Sequence, residues 1–81
     1  MNLCFLCGKI SSKIDFKFIL TGKNYSIAKF TLMLFDGTLL YVKVFDDVAD
    51  YSYRKLNCGD VIFCEAIVMN AEVFVRHIEI C

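Results

Sequence analysis

One stretch decides the fold: Ile27-Ala28-Lys29-Phe30-Thr31-Leu32-Met33-Leu34-Phe35, then Asp36-Gly37, then Thr38-Leu39-Leu40-Tyr41-Val42-Lys43-Val44-Phe45. Both flanks alternate as strands with one buried face do. Ala28, Phe30, Leu32 and Leu34 share a face of the first. Leu40, Val42 and Val44 share a face of the second. The turn decides whether the two faces coincide. A two-residue turn at Asp36-Gly37 pairs Phe30 with Lys43 and drives a lysine into the core. A three-residue loop, Phe35-Asp36-Gly37 with Gly37 left-handed in a bulge, pairs Leu34 with Thr38 instead. Leu32 then meets Leu40, Phe30 meets Val42, and Ala28 meets Val44. A one-residue slip turns every side chain over, so the hydrophobic pattern selects the second register. The outer face of that hairpin pairs Met33 with Leu39, Thr31 with Tyr41, Lys29 with Lys43, and Ile27 with Phe45. Lysines directly opposite each other repel, and these two are flanked by Tyr41 and Phe45.

Outward from the hairpin, residues 3–20 read as one long, strongly bent first strand, with Gly8 and Ser11-Ser12 allowing the curvature. Its second half puts Phe16 and Phe18 on one face, Lys17 and Ile19 on the other. Residues 21–25, Thr-Gly-Lys-Asn-Tyr, are turn-formers and read as a loop. Residues 46–56 are the helical candidate. Asp46 or Asp47 is expected to cap its N-terminus, where acids also suit the helix dipole, and Arg54 and Lys55 suit its C-terminus. Val48, Tyr51 or Ser52, and Leu56 supply a short apolar stripe, and Asn57-Cys58-Gly59 is expected to end the helix through a left-handed residue. Residues 60–69 form a fourth strand, Asn70-Ala71 a tight turn, and residues 72–81 a fifth strand. A kink near Arg76-His77 is expected, because Val73 and Val75 fall on the opposite parity from Ile78 and Ile80. The order is β-β-β-α-β-β. That is the order of the OB-fold, an all-β, five-stranded Greek-key barrel, here with one short helix between strands three and four. Closure removes exposed strand edges, which a chain this apolar needs.

The 81 residues make a single domain, residues 1–81. A chain of this length buries roughly 60% of its unfolded surface. With 58% hydrophobic and 15% aromatic residues, some apolar surface is left outside, as a platform for an aromatic ligand, an interface between copies, or both. Formal net charge is zero, so no global basic field exists and any polyanion must be held by a local patch and by stacking. This excludes sequence-independent coating of duplexes more strongly than binding of single strands. No run of about 20 apolar residues offers a membrane span, and the N-terminus lacks a basic n-region. The expected location is the cytoplasm, with no membrane association and with all five cysteines as thiols.

Four segments carry a family resemblance. Phe5-Leu6-Cys7-Gly8-Lys9-Ile10 looks like an apolar-apolar-x-Gly-x-apolar opening strand. Lys29-Phe30-Thr31-Leu32 resembles a second strand. Val42-Lys43-Val44-Phe45-Asp46-Asp47-Val48-Ala49-Asp50 resembles a third strand running into a helix. Leu56-Asn57-Cys58-Gly59-Asp60-Val61-Ile62-Phe63-Cys64-Glu65 is similar to a Leu-x-Lys-Gly-x-x-apolar-x-apolar-Glu segment. In this order the chain, from about residue 5 to 68, resembles the bacterial single-stranded DNA-binding proteins and, more loosely, OB domains related to the tRNA anticodon-binding domain. The resemblance implies that aromatics on the outer face of the third strand stack on bases. Phe45 stands at one such position. Leu39 stands at the other, where the family usually has Trp, and packs without stacking. Lys17 and Phe18 stand where the family often has a basic and an aromatic residue. The chain departs from the family at Ala66, where Gly follows the Glu, in the two-residue Asn70-Ala71 loop that replaces a long hairpin, and in lacking the acidic C-terminal tail before Cys81. A minimal relative is the expectation.

The candidate nucleic-acid-binding set is therefore Lys17, Phe18, Lys29, Thr31, Tyr41, Lys43 and Phe45, with Lys23 and Tyr25 from the loop where an OB-fold meets its ligand. Each stacked base contributes about 1–3 kcal/mol. The competing reading makes Ile27, Met33, Leu39, Tyr41 and Phe45 a subunit interface rimmed by lysine stems. Cys4 and Cys7 have the spacing of a zinc knuckle, with Cys58 and Cys64 as further thiols. In a strand, however, residues three apart point to opposite faces, so buried thiols are the better reading and neither metal nor cofactor is expected. Asp46, Asp47 and Asp50 could be read as a metal cluster, but helix N-terminal capping explains them without metal, and no nucleophile accompanies His77. The expected function is non-catalytic binding of single-stranded nucleic acid, DNA first, by a homo-oligomer (dimer or tetramer). The alternative is a protein-interaction OB domain without nucleic-acid binding.

Overall fold

Two hydrogen bonds at the tip of the hairpin set its register. In the computed structural model, which describes residues 2–81, the Leu34 amide donates to the Thr38 carbonyl (2.8 Å) and the Gly37 amide donates to the Leu34 carbonyl (3.0 Å). Gly37 is left-handed, φ +91°, which a side chain rarely tolerates. Asp36 Oδ1 accepts from the Thr38 amide at 2.9 Å, and that bond holds the exposed Asp36 carboxyl below its ordinary range. The elements are β1 (Asn2–Ile10), β2 (Asp15–Ile19), β3 (Tyr25–Leu34), β4 (Leu39–Phe45), α1 (Asp46–Lys55), β5 (Val61–Met69) and β6 (Glu72–Ile80). β3 and β4 pair as the hydrophobic pattern requires: Leu32 with Leu40, Phe30 with Val42, Ala28 with Val44, and Lys29 with Lys43 on the other face.

The expected long first strand is two strands, which is a correction. Residues 11–14 leave the ladder, and β1 and β2 pair with opposite ends of β3: Gly8–Ile10 against Leu32–Leu34, and Asp15–Ile19 against Tyr25–Lys29. The reason lies at Thr31. Its amide donates to Ser12 Oγ at 2.8 Å, and its carbonyl accepts from the Ser11 amide at 2.9 Å. A hydroxyl thus replaces a backbone partner where the chain bends, and the ladder is stitched rather than continuous. Because the first strand is divided, the helix falls between β4 and β5.

The sheet runs β1-β5-β6-β4-β3 and closes by the β1–β3 pairing, a barrel of five strands with β2 prolonging the wall along β3. Among the described residues only β4 and β6 pair in parallel. Closure passes through Gly8, which pairs with both Leu34 and Ile62. A Cβ there would stand 2.6 Å from the Met33 carbonyl oxygen, so only glycine lets β1 come this close to β3. Inside, Ile10, Leu32, Val42, Val44 and Ile62 are fully buried, joined by Ala28, Phe30, Ala66, Val75 and Ile78. Glu65 opposes His77 while Ala66 opposes Val75, leaving Arg76 as the extra residue of a bulge. The bulge is the expected kink, and it lets Val75 and Ile78 both reach the core.

The helix departs from expectation at both ends. Its N-cap is Phe45, with no side-chain cap. Asp46 has φ +52°, and its carboxylate accepts from the Ser26 amide at 3.4 Å instead of from the first helical turn. At the C-terminus Leu56 is extended, its amide donating to the Ser52 carbonyl at 3.0 Å. The left-handed residue, Gly59 (φ +101°), serves the next strand: its amide donates to the Ile10 carbonyl at 2.7 Å. Ala49, Ser52 and Leu56 are the buried residues of this segment, with Val48 and Tyr51 partly so. Asn70 and Ala71 are both left-handed (φ 53° and 62°), the signature of a tight two-residue hairpin turn.

Candidate functional site

The cross-strand registers lay out the outer face of β2-β3-β4-β6 as rows. Asp15, Lys29, Lys43 and Phe74 form one row, and Lys17, Ile27 and Phe45 the next. Thr31 with Tyr41, then Met33 with Leu39, continue toward the hairpin tip. The opposed lysines are thus real neighbours on a face the core does not use. Beside them lies a cleft of about 240 Å³ between the 11–14 connection and the β3–β4 wall, lined by Ser12, Lys13, Asp15, Lys29, Tyr41 and Lys43 among others. Tyr41 stands at its side with 74% of its surface exposed. Thr31 contributes structurally, as the backbone anchor of the connection that walls the cleft.

A line of rings runs along the next rows. Tyr25 and Phe45 have centroids 6.2 Å apart and tilted by 48°, and Phe45 and Phe74 are 5.9 Å apart and stacked within 26°. Offset aromatic contacts of this kind hold rings in fixed orientation while leaving their outer surfaces available. Phe74 and Lys13 were not among the candidates the sequence offered. Phe74 was legible, since Val73 and Val75 face inward and the residue between must face out. Lys13 was hidden by the unbroken-strand reading of residues 3–20.

The structure does not gather every candidate. Lys17 lies on the outer face beside Ile27, but Phe18 pairs with the buried Ser26 on the opposite face, 59% exposed there. Lys23 is exposed in the β2–β3 loop and makes no ion pair among the described residues. Leu39 is half-exposed at the hairpin end, away from the line of rings.

Acids interleave with the cations. Lys43 Nζ donates to Glu72 Oε1 at 2.9 Å, and Arg76 Nε lies 2.9 Å from Glu65 Oε2. Lys29 faces Asp15 across the β2–β3 pair without reaching ion-pair distance. The arrangement is a shallow cationic cleft alongside an aromatic strip, able to hold phosphate and flat rings together. Among the described residues no group of three His, Cys, Asp or Glu side chains could hold a metal ion, and no helix is long and apolar enough to cross a membrane. Cys58 and Cys81 are exposed and Cys64 is buried.

The sequence matches no protein-family model and no curated protein. Solved structures match it well. The SSB domain of a Synechococcus protein superposes with a TM-score of 0.82 at 15% identity, covering 98% of this chain and 94% of that one. A mitochondrial single-stranded DNA-binding protein of S. cerevisiae superposes with a TM-score of 0.81 at 16% identity, covering 99% and 93%. The dimeric N-terminal domain of PriB from Thermoanaerobacter tencongensis gives 0.60 at 19% identity, covering 99% and 96%. The fold is the OB-fold of these domains: a closed barrel with a helix inserted before its last hairpin.

Proposed function

We propose that this chain is a non-catalytic binder of single-stranded nucleic acid, DNA in the first instance. The observation that carries the reading is the aromatic line Tyr25–Phe45–Phe74 running beside the opposed Lys29 and Lys43 on one solvent face. Bases stack on rings regardless of sequence, and lysines follow the backbone. The S. cerevisiae protein that shares the fold is named for single-stranded DNA, which supports the ligand class. Tyr41 and Lys13 extend the surface into the cleft, with Lys17 at its edge.

The test is a titration of labelled oligothymidylate, and of the matching RNA, at low salt and again at rising salt. Binding is expected at low salt and falls on addition of salt with a shallow slope, about 0.7 per phosphate contacted. Lys43→Glu is expected to weaken binding by about tenfold without unfolding the protein, because the partly exposed Lys43 side chain makes only a surface ion pair, to Glu72. Absence of any anisotropy or tyrosine-fluorescence change at low salt overturns the reading.

The same proposal includes self-association. Part of the exposed apolar surface lies off the binding face, where Phe5 and Phe63 stack at 6.0 Å and 13° and Leu3 is half-exposed. A dimer or tetramer assembled there leaves the ligand face open, and one structural relative is itself dimeric. Light scattering that finds an oligomer dissolved by Phe45→Asp but not by a change at Phe5 would assign the aromatic line to assembly and favour the protein-interaction alternative.

A further inference from the structure

Resting on that reading, we propose that Glu72 is an intramolecular competitor for phosphate at Lys43 and sets both the strength and the salt response of binding. Its carboxylate holds Lys43 Nζ at 2.9 Å, and the backbone puts it there. Glu72 opens β6 directly after the Asn70-Ala71 turn, and its partner across the hairpin is Met69. β6 then runs parallel to β4, Val73 beside Val42 and Phe74 beside Lys43. The acid is thus delivered over the lysine by two fixed strands.

Lys43 is the cation of the opposed pair that an acid holds. Lys29 and Lys13 line the same cleft with no acid at ion-pair distance among the described residues. A phosphate entering the cleft meets those two directly, but reaches Lys43 only by displacing Glu72. Both anions on one ammonium group would stand within a few ångströms of each other, where like charges repel strongly. Both side chains of the pair are partly exposed, so the exchange is a surface rearrangement and the gate is modest.

The experiment compares the intact protein with Glu72→Gln, Glu79→Gln, Lys43→Gln and the double variant Lys43→Gln/Glu72→Gln in the same oligothymidylate titration. Glu79 also lies on β6 and is paired with His77 at 3.3 Å, outside the cleft, so its variant removes the same charge without freeing Lys43. Glu72→Gln is expected to bind about two- to fivefold more tightly, the range an exposed ion pair supports, with a salt slope steeper by about 0.7. Glu79→Gln stays near the intact protein, and in the Lys43→Gln background the Glu72 change has no effect. Equal gains from Glu72→Gln and Glu79→Gln reduce the effect to net charge and overturn the proposal. Binding by the intact protein that Glu72→Gln leaves unchanged overturns it too, while the nucleic-acid reading stands. Binding absent from every variant defeats both.

Discussion

Cys64 shows how one position can be chemically silent for a stated reason. It sits inside the barrel wall, and burial first, with Cys4 and Cys7 nearby, pushes its thiol from 9.0 up to about 11. The neutral form is the one the fold accommodates. The sign follows: a group whose folded value is raised favours the native state fully below its unfolded value, and loses that contribution as pH rises through the folded one. Stability is therefore expected to be flat in this respect below pH 9 and to fall between 9.0 and about 11, a drop that Cys64→Ala shrinks. Urea midpoints across that range measure it. At pH 8 an alkylating reagent is expected to modify Cys58 quickly and Cys64 only on unfolding, read by mass spectrometry of the digested protein. The opposed lysines are the contrary case at the same scale. No packing requirement calls for a lysine at both Lys29 and Lys43, which face each other across the hairpin, and their repulsion is legible in the sequence pattern alone. Phe18 carries no such signal: the resemblance alone offers it, and it lies on the opposite face of β2 from Lys17, because neighbours on a strand face opposite ways.

Among the elements, the β1–β2 break teaches most. Serine pairs read as a bend from sequence, and the bend is there. What sequence does not display is that Ser12 Oγ becomes the acceptor for an amide 19 residues away. That bond allows the strand to stop, turn and resume, and it raises the connection that forms one wall of the cleft. Ser12→Ala leaves the Thr31 amide without its partner in a partly buried place. A loss of about 1–3 kcal/mol is expected, with most of it restored by Ser12→Thr, and urea unfolding at constant m-value checks both. If Ser12→Ala costs nothing, water satisfies the amide equally well and the hydroxyl is not what holds the bend. The helix tells a similar story. Its existence and its acidic first turn and basic last turn were legible, because dipole and propensity are local. Its capping was not, since Asp46 is recruited by Ser26 on β3.

At the scale of the whole molecule, the barrel is closed at one crowded point. Gly8 lies between β3 and β5, and the Met33 carbonyl occupies the space a side chain needs. Because that obstacle is backbone, it does not yield as a flexible side chain would. Gly8→Ala is expected to destabilise by about 1–3 kcal/mol, lowering the melting midpoint by about 4–8 °C for each kcal/mol in a domain this small. Differential scanning calorimetry reads the shift, and an unchanged midpoint would show that β1 and β3 separate without penalty. A weakened closure also loosens the β1–β3 junction from which the 11–14 connection departs, so ligand affinity is expected to fall with stability in this variant.

Sequence by itself determined the hairpin register, its inner and outer faces, the element order apart from the division of the first strand, and the kink at Arg76. Each rests on a period of two, on turn chemistry or on the cost of burying a charge, and all three act between near neighbours in the chain. Tertiary structure alone decided that the first strand breaks, that Phe74 joins Tyr25 and Phe45 in one aromatic line, and that Glu72 answers Lys43. Those are contacts between residues brought together only when β4 and β6 lie side by side and the barrel closes. No local preference encodes them, because the free energy that creates them is that of closing the barrel.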